Sequence, residues 1–273
     1  MTGVRFLAPL LLALLSGPLA AQPTTSEQPS SPSPRHEQAR AAPARLSLII
    51  DDLGQTPGRD RRVLALPGPV ALAILPDTPH AAQLAEEAHR RGKTVMLHLP
   101  MDPAGGRYAW HPGLPVDELE RRLDTAFDAV PHARGVNNHM GSRMTADATA
   151  MNWLMGELQR RHRFFIDSRT SAATIAGATA QRVGLASLSR DVFLDNEPTA
   201  DAIAAQLEKA VVLARKQGSV VVIGHPYPAT LEVLERELPR LAARGIDWIG
   251  VEQMIAVRGN RAMAAHGKGG IYR

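Results

Sequence analysis

The chain has 273 residues, 44% of them hydrophobic, a formal charge of +4 and no cysteine. That is room for one sizeable domain with its own core, and the missing cysteine excludes disulfides, thiolate metal sites, a cysteine nucleophile and a lipid-bearing cysteine. The basic excess is slight and sits on polar helix faces such as Arg121-Arg122 and Arg160-Arg161, with no interleaved aromatics, which argues against nucleic acid as a partner.

Residues 1–21 carry one Arg, an apolar run from Phe6 to Leu15, a helix-breaking Gly17-Pro18 and small residues at Ala20-Ala21. This is the layout of a secretory signal peptide cut near Ala21. The run is shorter than the about 20 apolar residues of a membrane span. The expectation is a periplasmic or otherwise exported protein with no stable span after cleavage. Residues 22–43 are rich in Pro, Ser, Thr, Gln and Ala without apolar period, and read as a disordered linker. The folded domain is expected over 44–257, and 258–273 reads as a flexible basic tail.

Within the domain, short apolar runs alternate with longer amphipathic segments. The runs lie at 46–50, 70–75, 94–99, 135–137, 163–166, 192–194, 219–223 and 248–251. Most are apolar on both alternate faces, as buried parallel strands are. The segments between them are punctuated as helices. Thr78-Pro79 and Thr199 stand at N-termini, and Gly92, Gly218 and Gly245 close C-termini. Leu119, Leu123, Phe127 and Val130 form one helix face, and Met151, Leu154, Met155 and Leu158 another. This alternation predicts an α/β fold, a distorted or incomplete (β/α) barrel in a single domain. Asp51-Asp52-Leu53-Gly54 stands where a glycine-rich phosphate loop would follow the first strand, so dinucleotide-binding and P-loop folds are excluded.

The predicted strands end in polar groups: Asp51-Asp52, Asp77, His98, Asn138-His139, Asp167, Asp195 and His225. In parallel α/β folds the carboxyl ends of the strands converge on one rim, where active sites are built. Helix capping explains a single such residue and does not explain so many. Adjacent buried carboxylates repel and need a cation, so one of Asp51-Asp52 is expected to bind metal and the other to act as a base. His98 and His139 complete a two-histidine, one-carboxylate set with Asp52, suited to Zn²⁺ and to other divalent ions. His225 is a candidate general acid, with Asp167 or Asp195 orienting it. Asn138, Asp77 and Trp110 are the candidate substrate contacts.

The ordered motifs IIDDLG, ILPDTPH, MLHLPM, GVNNHMGSRMT, FIDSRT, VFLDN and IGHPYPAT resemble those of the divergent polysaccharide deacetylases of the YibQ type, within the NodB-homology superfamily of carbohydrate esterases. The resemblance spans about residues 46 to 255. It implies a distorted (β/α) barrel and a metal-dependent hydrolase acting on an N- or O-acetylated glycan, with peptidoglycan a candidate. It also implies Asp51 as base, Asp52 as metal ligand and His225, from Ile223-Gly224-His225, as acid. The sequence departs from the superfamily at the metal motif. Asp102 stands four residues after His98 where a second histidine is usual, and Asn137-Asn138-His139 replaces the Arg-x-Pro-Tyr motif. A non-catalytic, metal-containing glycan-binding or regulatory protein is the alternative. A two-carboxylate glycosidase is weaker, because no Glu pair accompanies the histidines.

Overall fold

The structure, a computed structural model, describes residues 43–267, with side chains to Gly259. The expected signal peptide (1–21) and nearly all of the expected linker (22–43) lie outside the described residues. In chain order the elements are β1 (Ala44–Leu53), α1 (Pro57–Ala65), β2 (Ala71–Ile74), α2 (Ala81–Arg90), β3 (Thr94–Met101), α3 (Val116–Ala129), β4 (Gly135–Met140), α4 (Ala148–Arg160), β5 (Phe164–Asp167), α5 (Ala176–Arg182), β6 (Ser187–Ser189), β7 (Val192–Phe193), α6 (Ala200–Gln217), β8 (Ser219–Gly224), α7 (Pro228–Glu237), β9 (Ile246–Trp248) and α8 (Val251–Gly267). Among the described residues no helix is long and apolar enough to cross a membrane.

All strand pairings are parallel, in the order β6-β5-β4-β3-β2-β1-β8-β7, with β9 paired to β1. The two edges of this sheet, β6 and β7, are consecutive in the chain and joined only through Arg190 and Asp191. The sheet therefore curls until its edges meet without pairing, which is the incomplete (β/α) barrel the alternation predicts. β9 takes the first part of the β1 edge, at Ala44–Leu46, and β2 takes the later part from Ile49.

Side-chain alternation sorts the strands into two cores. Leu46, Leu48 and Ile50 of β1 join the larger cluster between sheet and helices. Ile49 belongs to a second cluster with Ala71, Ala73, Met96, Ile166, Val221 and Ile223, which fills the inside of the curl. Val251 and Met254 of α8 pack into this inner cluster and plug its amino-terminal end.

Several boundaries differ from the sequence reading. β6 was absent from it, because Ser-Leu-Ser offers a single apolar residue. The run at 248–251 stops at Trp248, and its end becomes the start of α8. α8 continues past 257 to Gly267, where a loose tail is expected. Met254 packs on the inner core and Arg258 pairs with Asp191. Residues 268–273 of that tail lie outside the described residues. α2 begins at Ala81 rather than at Pro79, and the Thr78 hydroxyl donates to Leu75 O (2.8 Å) instead of capping a helix. Thr199 caps α6 as expected, accepting from Ala202 N, and Gly218 ends it at φ 80.

Gly135 begins β4 with its inward face against the Phe164 ring, and a β-carbon there would stand 2.3 Å from two ring carbons. Overpacking of this kind costs about 1–3 kcal/mol. Gly135→Ala is expected to lower the unfolding free energy by that amount in denaturant titration, and an unchanged midpoint would contradict the packing described here.

Candidate active site

The inward parity that builds the inner core continues to the carboxyl rim. One layer above Ile49, Met96, Ile166 and Ile223, the same face of the strands presents Asp51, His98, Ser168 and His225. His98 and Asn137 are register partners on β3 and β4, and His139 pairs with Pro100 one step higher. Apolar residues at this level would close the barrel; polar ones make it a site.

Adjacent strand residues normally face opposite ways, yet Asp51 and Asp52 both reach the rim. The backbone explains this. Asp52 is left-handed (φ 57) and the β1–β2 register slips between Ile50 and Leu53. Met140 (φ 55) and Arg169 (φ 50) repeat the turn directly after the inward-facing His139 and Ser168. Such a conformation costs a non-glycine residue about 1–3 kcal/mol, and its recurrence where strands leave the rim marks this end as locally strained.

Asp52 Oδ1 lies 2.9 Å from His139 Nδ1 and 3.2 Å from His98 Nε2, and the two imidazole nitrogens are 3.2 Å apart. Asp52 Oδ1 is buried and receives no properly directed hydrogen bond from either ring. Asp52, His98 and His139 thus converge as a group that could hold a metal ion. The separations are close to the edge of a tetrahedron with bonds of about 2.0–2.1 Å, roughly 3.3 Å.

The groups behind this triad fix its orientation. Asn137 Nδ2 donates to Asp51 Oδ1 (2.8 Å) and to Ser168 Oγ (3.2 Å), which sets its amide. Its Oδ1, 2.8 Å from His98 Nδ1, can only accept, so His98 keeps a proton on Nδ1 and, once neutral, turns a bare Nε2 to the triad. Asp195 does the same for His225. Its Oδ1 lies 3.0 Å from Nδ1, while Oδ2 accepts from Thr230 Oγ1 (2.8 Å) and the His225 backbone N–H (2.6 Å). His225 Nε2 then faces Asp52 Oδ2 at 3.7 Å.

Electrostatics separates the two carboxylates. Burial is the largest influence on Asp51 and raises its pKa above the usual carboxylate range, against the pull of His98 and His225. Burial also opposes ionisation of Asp52, but the close approach and charge of His139 and His98 outweigh it and hold Asp52 ionised far below that range. Burial disfavours charge on His98 and His225 as well. Asp51 and Asp52 raise His98 regardless, and Asp195, Asp51 and Asp52 raise His225.

A cleft of about 270 Å³ opens over these groups, lined by His98, His139, His225, Phe193, Met140 and Thr170. A larger one of about 350 Å³, lined by residues such as Arg134, Phe164 and Glu252, lies at the opposite end of the strands, the end that serves stability in this class of fold.

Of the residues singled out from sequence, Asp51, Asp52, His98, His139, Asp195 and His225 meet at the rim. Four do not join them as expected. Asp167 has outward parity and accepts from Arg169 N, Thr174 Oγ1 and Gly177 N, so it builds the loop after β5 and leaves His225 to Asp195. Asn138 is buried, donating to Met140 O and accepting from Ser168 N, with no amide group left for a substrate. Trp110 is fully buried beside Trp153, its indole N–H unpartnered, and is a core residue. Asp77 is exposed and lies against Gly106 in a neighbouring loop, away from the cleft lining. Asn137 and Ser168 were missed. Both share the inward parity of His139 and Ile166, which is the signal that finds them.

A family model described as divergent polysaccharide deacetylase matches residues 48–255. The chain belongs to this family. It is 41% identical over 196 residues to YibQ, an uncharacterised protein of Escherichia coli, in an alignment covering 70% of this chain and 61% of that protein. The chain thus spans about three fifths of that relative's length. Among solved structures it resembles an uncharacterised protein of Agrobacterium tumefaciens, with TM-score 0.74 and 22% identity over 79% of this chain and 91% of that one. It also resembles a variant of a CE4-family pseudoenzyme with restored enzymatic activity, with TM-score 0.50 and 14% identity over 78% of this chain and 68% of that one. Both likenesses are of fold. In this chain the two converging histidines come from neighbouring strands. Asp102 is instead tied to Arg143 Nη2 (2.7 Å) and joins the loops on either side.

Asn137→Ala removes the group that orients His98 and is expected to weaken zinc binding about 10–100-fold in a competitive chelator titration. Unchanged affinity would contradict the role given to Asn137. Metal uptake must also displace the proton that the raised pKa of His98 retains. Apparent affinity is therefore expected to fall about tenfold for each pH unit below that pKa, and to level off above it; a pH-independent affinity between pH 5 and 8 would contradict this.

Proposed function

We propose that the protein is an exported, metal-dependent carbohydrate deacetylase that removes N- or O-acetyl groups from an envelope polysaccharide. The observation that carries this reading is the convergence of Asp51, Asp52, His98, His139 and His225 on one rim, with each of two rings oriented from behind by Asn137 or Asp195. A pure binding site has no need of an acid and a base together.

Asp52, His98 and His139 would hold the ion, and a two-histidine, one-carboxylate set favours zinc. When bound, such an ion supplies a Lewis acid for the acyl oxygen and lowers the pKa of water. Asp51 takes the proton of the attacking water. Its burial raises its pKa toward neutrality, where a carboxylate is a more effective base. Asn137 holds Asp51 by one oxygen and leaves Oδ2 toward the site. His225 protonates the leaving amine or alkoxide through Nε2. Asp195 keeps the proton of Nδ1 in place and favours the cationic ring. Acetate and the deacetylated sugar are the products.

Asp51→Asn keeps the shape of the site and removes the base. It is expected to lower acetate release from an acetylated oligosaccharide about 10²–10⁴-fold while zinc content is retained. Full activity in that variant would reject Asp51 as base. Absence of acetate release by the zinc-replete wild type across N- and O-acetylated glycans would favour the non-catalytic binding module. Export rests on residues 1–21, and cell fractionation that leaves the protein in the cytosol would contradict it.

A further inference from the structure

Arg190 lies at the seam where β6 and β7 meet without pairing. Its Nε donates to Ser168 O (2.6 Å) and its Nη2 to Arg169 O (2.8 Å), and its guanidinium lies 4.7 Å from the centroid of the Phe193 ring. Phe193 in turn meets His225 edge-on at 5.1 Å and lines the cleft. Arg190 Nη1 has no hydrogen-bond partner among the described residues. Asp51, Asp167 and Asp191 are near enough to act on its charge, yet none forms an ion pair with it. Asp51 is held by Asn137, Asp167 by its own loop, and Asp191 by Arg258.

A second cation, Arg169, lies close enough to act on the charge of Arg190. Arg169 is exposed, has no carboxylate partner among the described residues, and precedes Thr170 of the cleft lining. Its backbone is fixed in the left-handed region (φ 50) by Asp167 Oδ1 accepting from its N–H and by Arg190 donating to its carbonyl. The tight turn therefore fixes the point from which the exposed Arg169 side chain leaves the backbone. The two charges repel, and burial with the Arg169 charge lowers the pKa of Arg190. Two cations that act on each other, one half-buried on the aromatic ring that lines the cleft and neither in an ion pair among the described residues, leave uncompensated positive charge beside the site. A planar guanidinium fork pairs bidentately with a carboxylate, which sugar acids carry.

We infer that Arg169 and Arg190 recognise a carboxylate on the glycan, so that the preferred substrate is an acidic acetylated sugar rather than a neutral one. This rests on the deacetylase reading for the reaction, and not for the binding. It makes the two arginines specificity residues, outside the acid–base and metal groups.

The test compares binding of N-acetylmuramic acid, its methyl ester and N-acetylglucosamine to the zinc-loaded protein by calorimetry at low and high salt. The acid is expected to bind at least about tenfold tighter than either neutral sugar, and salt is expected to reduce the difference. Arg169→Ala is expected to lose most of that preference, and Arg190→Lys, which keeps charge but not the planar fork, part of it. Because Arg190 also braces the Ser168 and Arg169 carbonyls, the exposed Arg169 variant is the one that decides. Equal binding of acid and ester, no binding of any of the three, or a preference that survives Arg169→Ala would overturn the inference. A carboxylate preference without acetate release from any glycan would instead uphold it and reject deacetylation.

Discussion

The structure turns on a single carboxylate oxygen. Asp52 Oδ1 sits between two imidazole nitrogens, buried and without a directed hydrogen bond. A charge in such a place is tolerated only with a counter-charge. Without a metal, the raised pKa of His98 supplies part of it as a proton. The neighbouring Asp51 has the opposite response to burial and is pushed toward its neutral form. Two adjacent residues thus acquire different chemistry because one faces two rings closely and the other faces an amide.

That difference depends on how the chain leaves β1. A regular strand would send Asp51 and Asp52 to opposite faces of the sheet. The left-handed backbone of Asp52 and the register slip beside it bring both to the rim. Beneath them, the inward parity of the strands supplies an apolar plug up to Ile49, Met96 and Ile223, sealed from below by α8. The plug gives the polar layer a rigid floor, and the orienting partners Asn137 and Asp195 come from the same layer.

Much of this was legible in the sequence. The alternation of β-branched runs and amphipathic segments indicates the barrel, because burial on both faces leaves a composition that few other architectures share. The polar residue closing each run indicates the rim, since parallel strands end on the same side. What the sequence hid was parity. In Asn137-Asn138-His139 the amide beside the histidine looks like the site residue, but alternation puts Asn137 inward and Asn138 into the loop. The same one-residue rule separates Ser168 from Asp167. Trp110 looked like a substrate contact because it stands in a polar loop, and only tertiary packing against Trp153 makes it core. The short strand β6 had no apolar period to betray it, and α8 outlasted its expected end because it packs under the inner core.

The most direct measurement is elemental analysis of the purified protein after chelation and reloading with zinc, wild type beside His139→Ala. About one tightly held divalent ion per chain is expected in the wild type, lost in the variant while the fold, followed by circular dichroism, persists. A wild type that holds no ion after reloading, or a variant that keeps it, would contradict the central claim that Asp52, His98 and His139 form a metal centre.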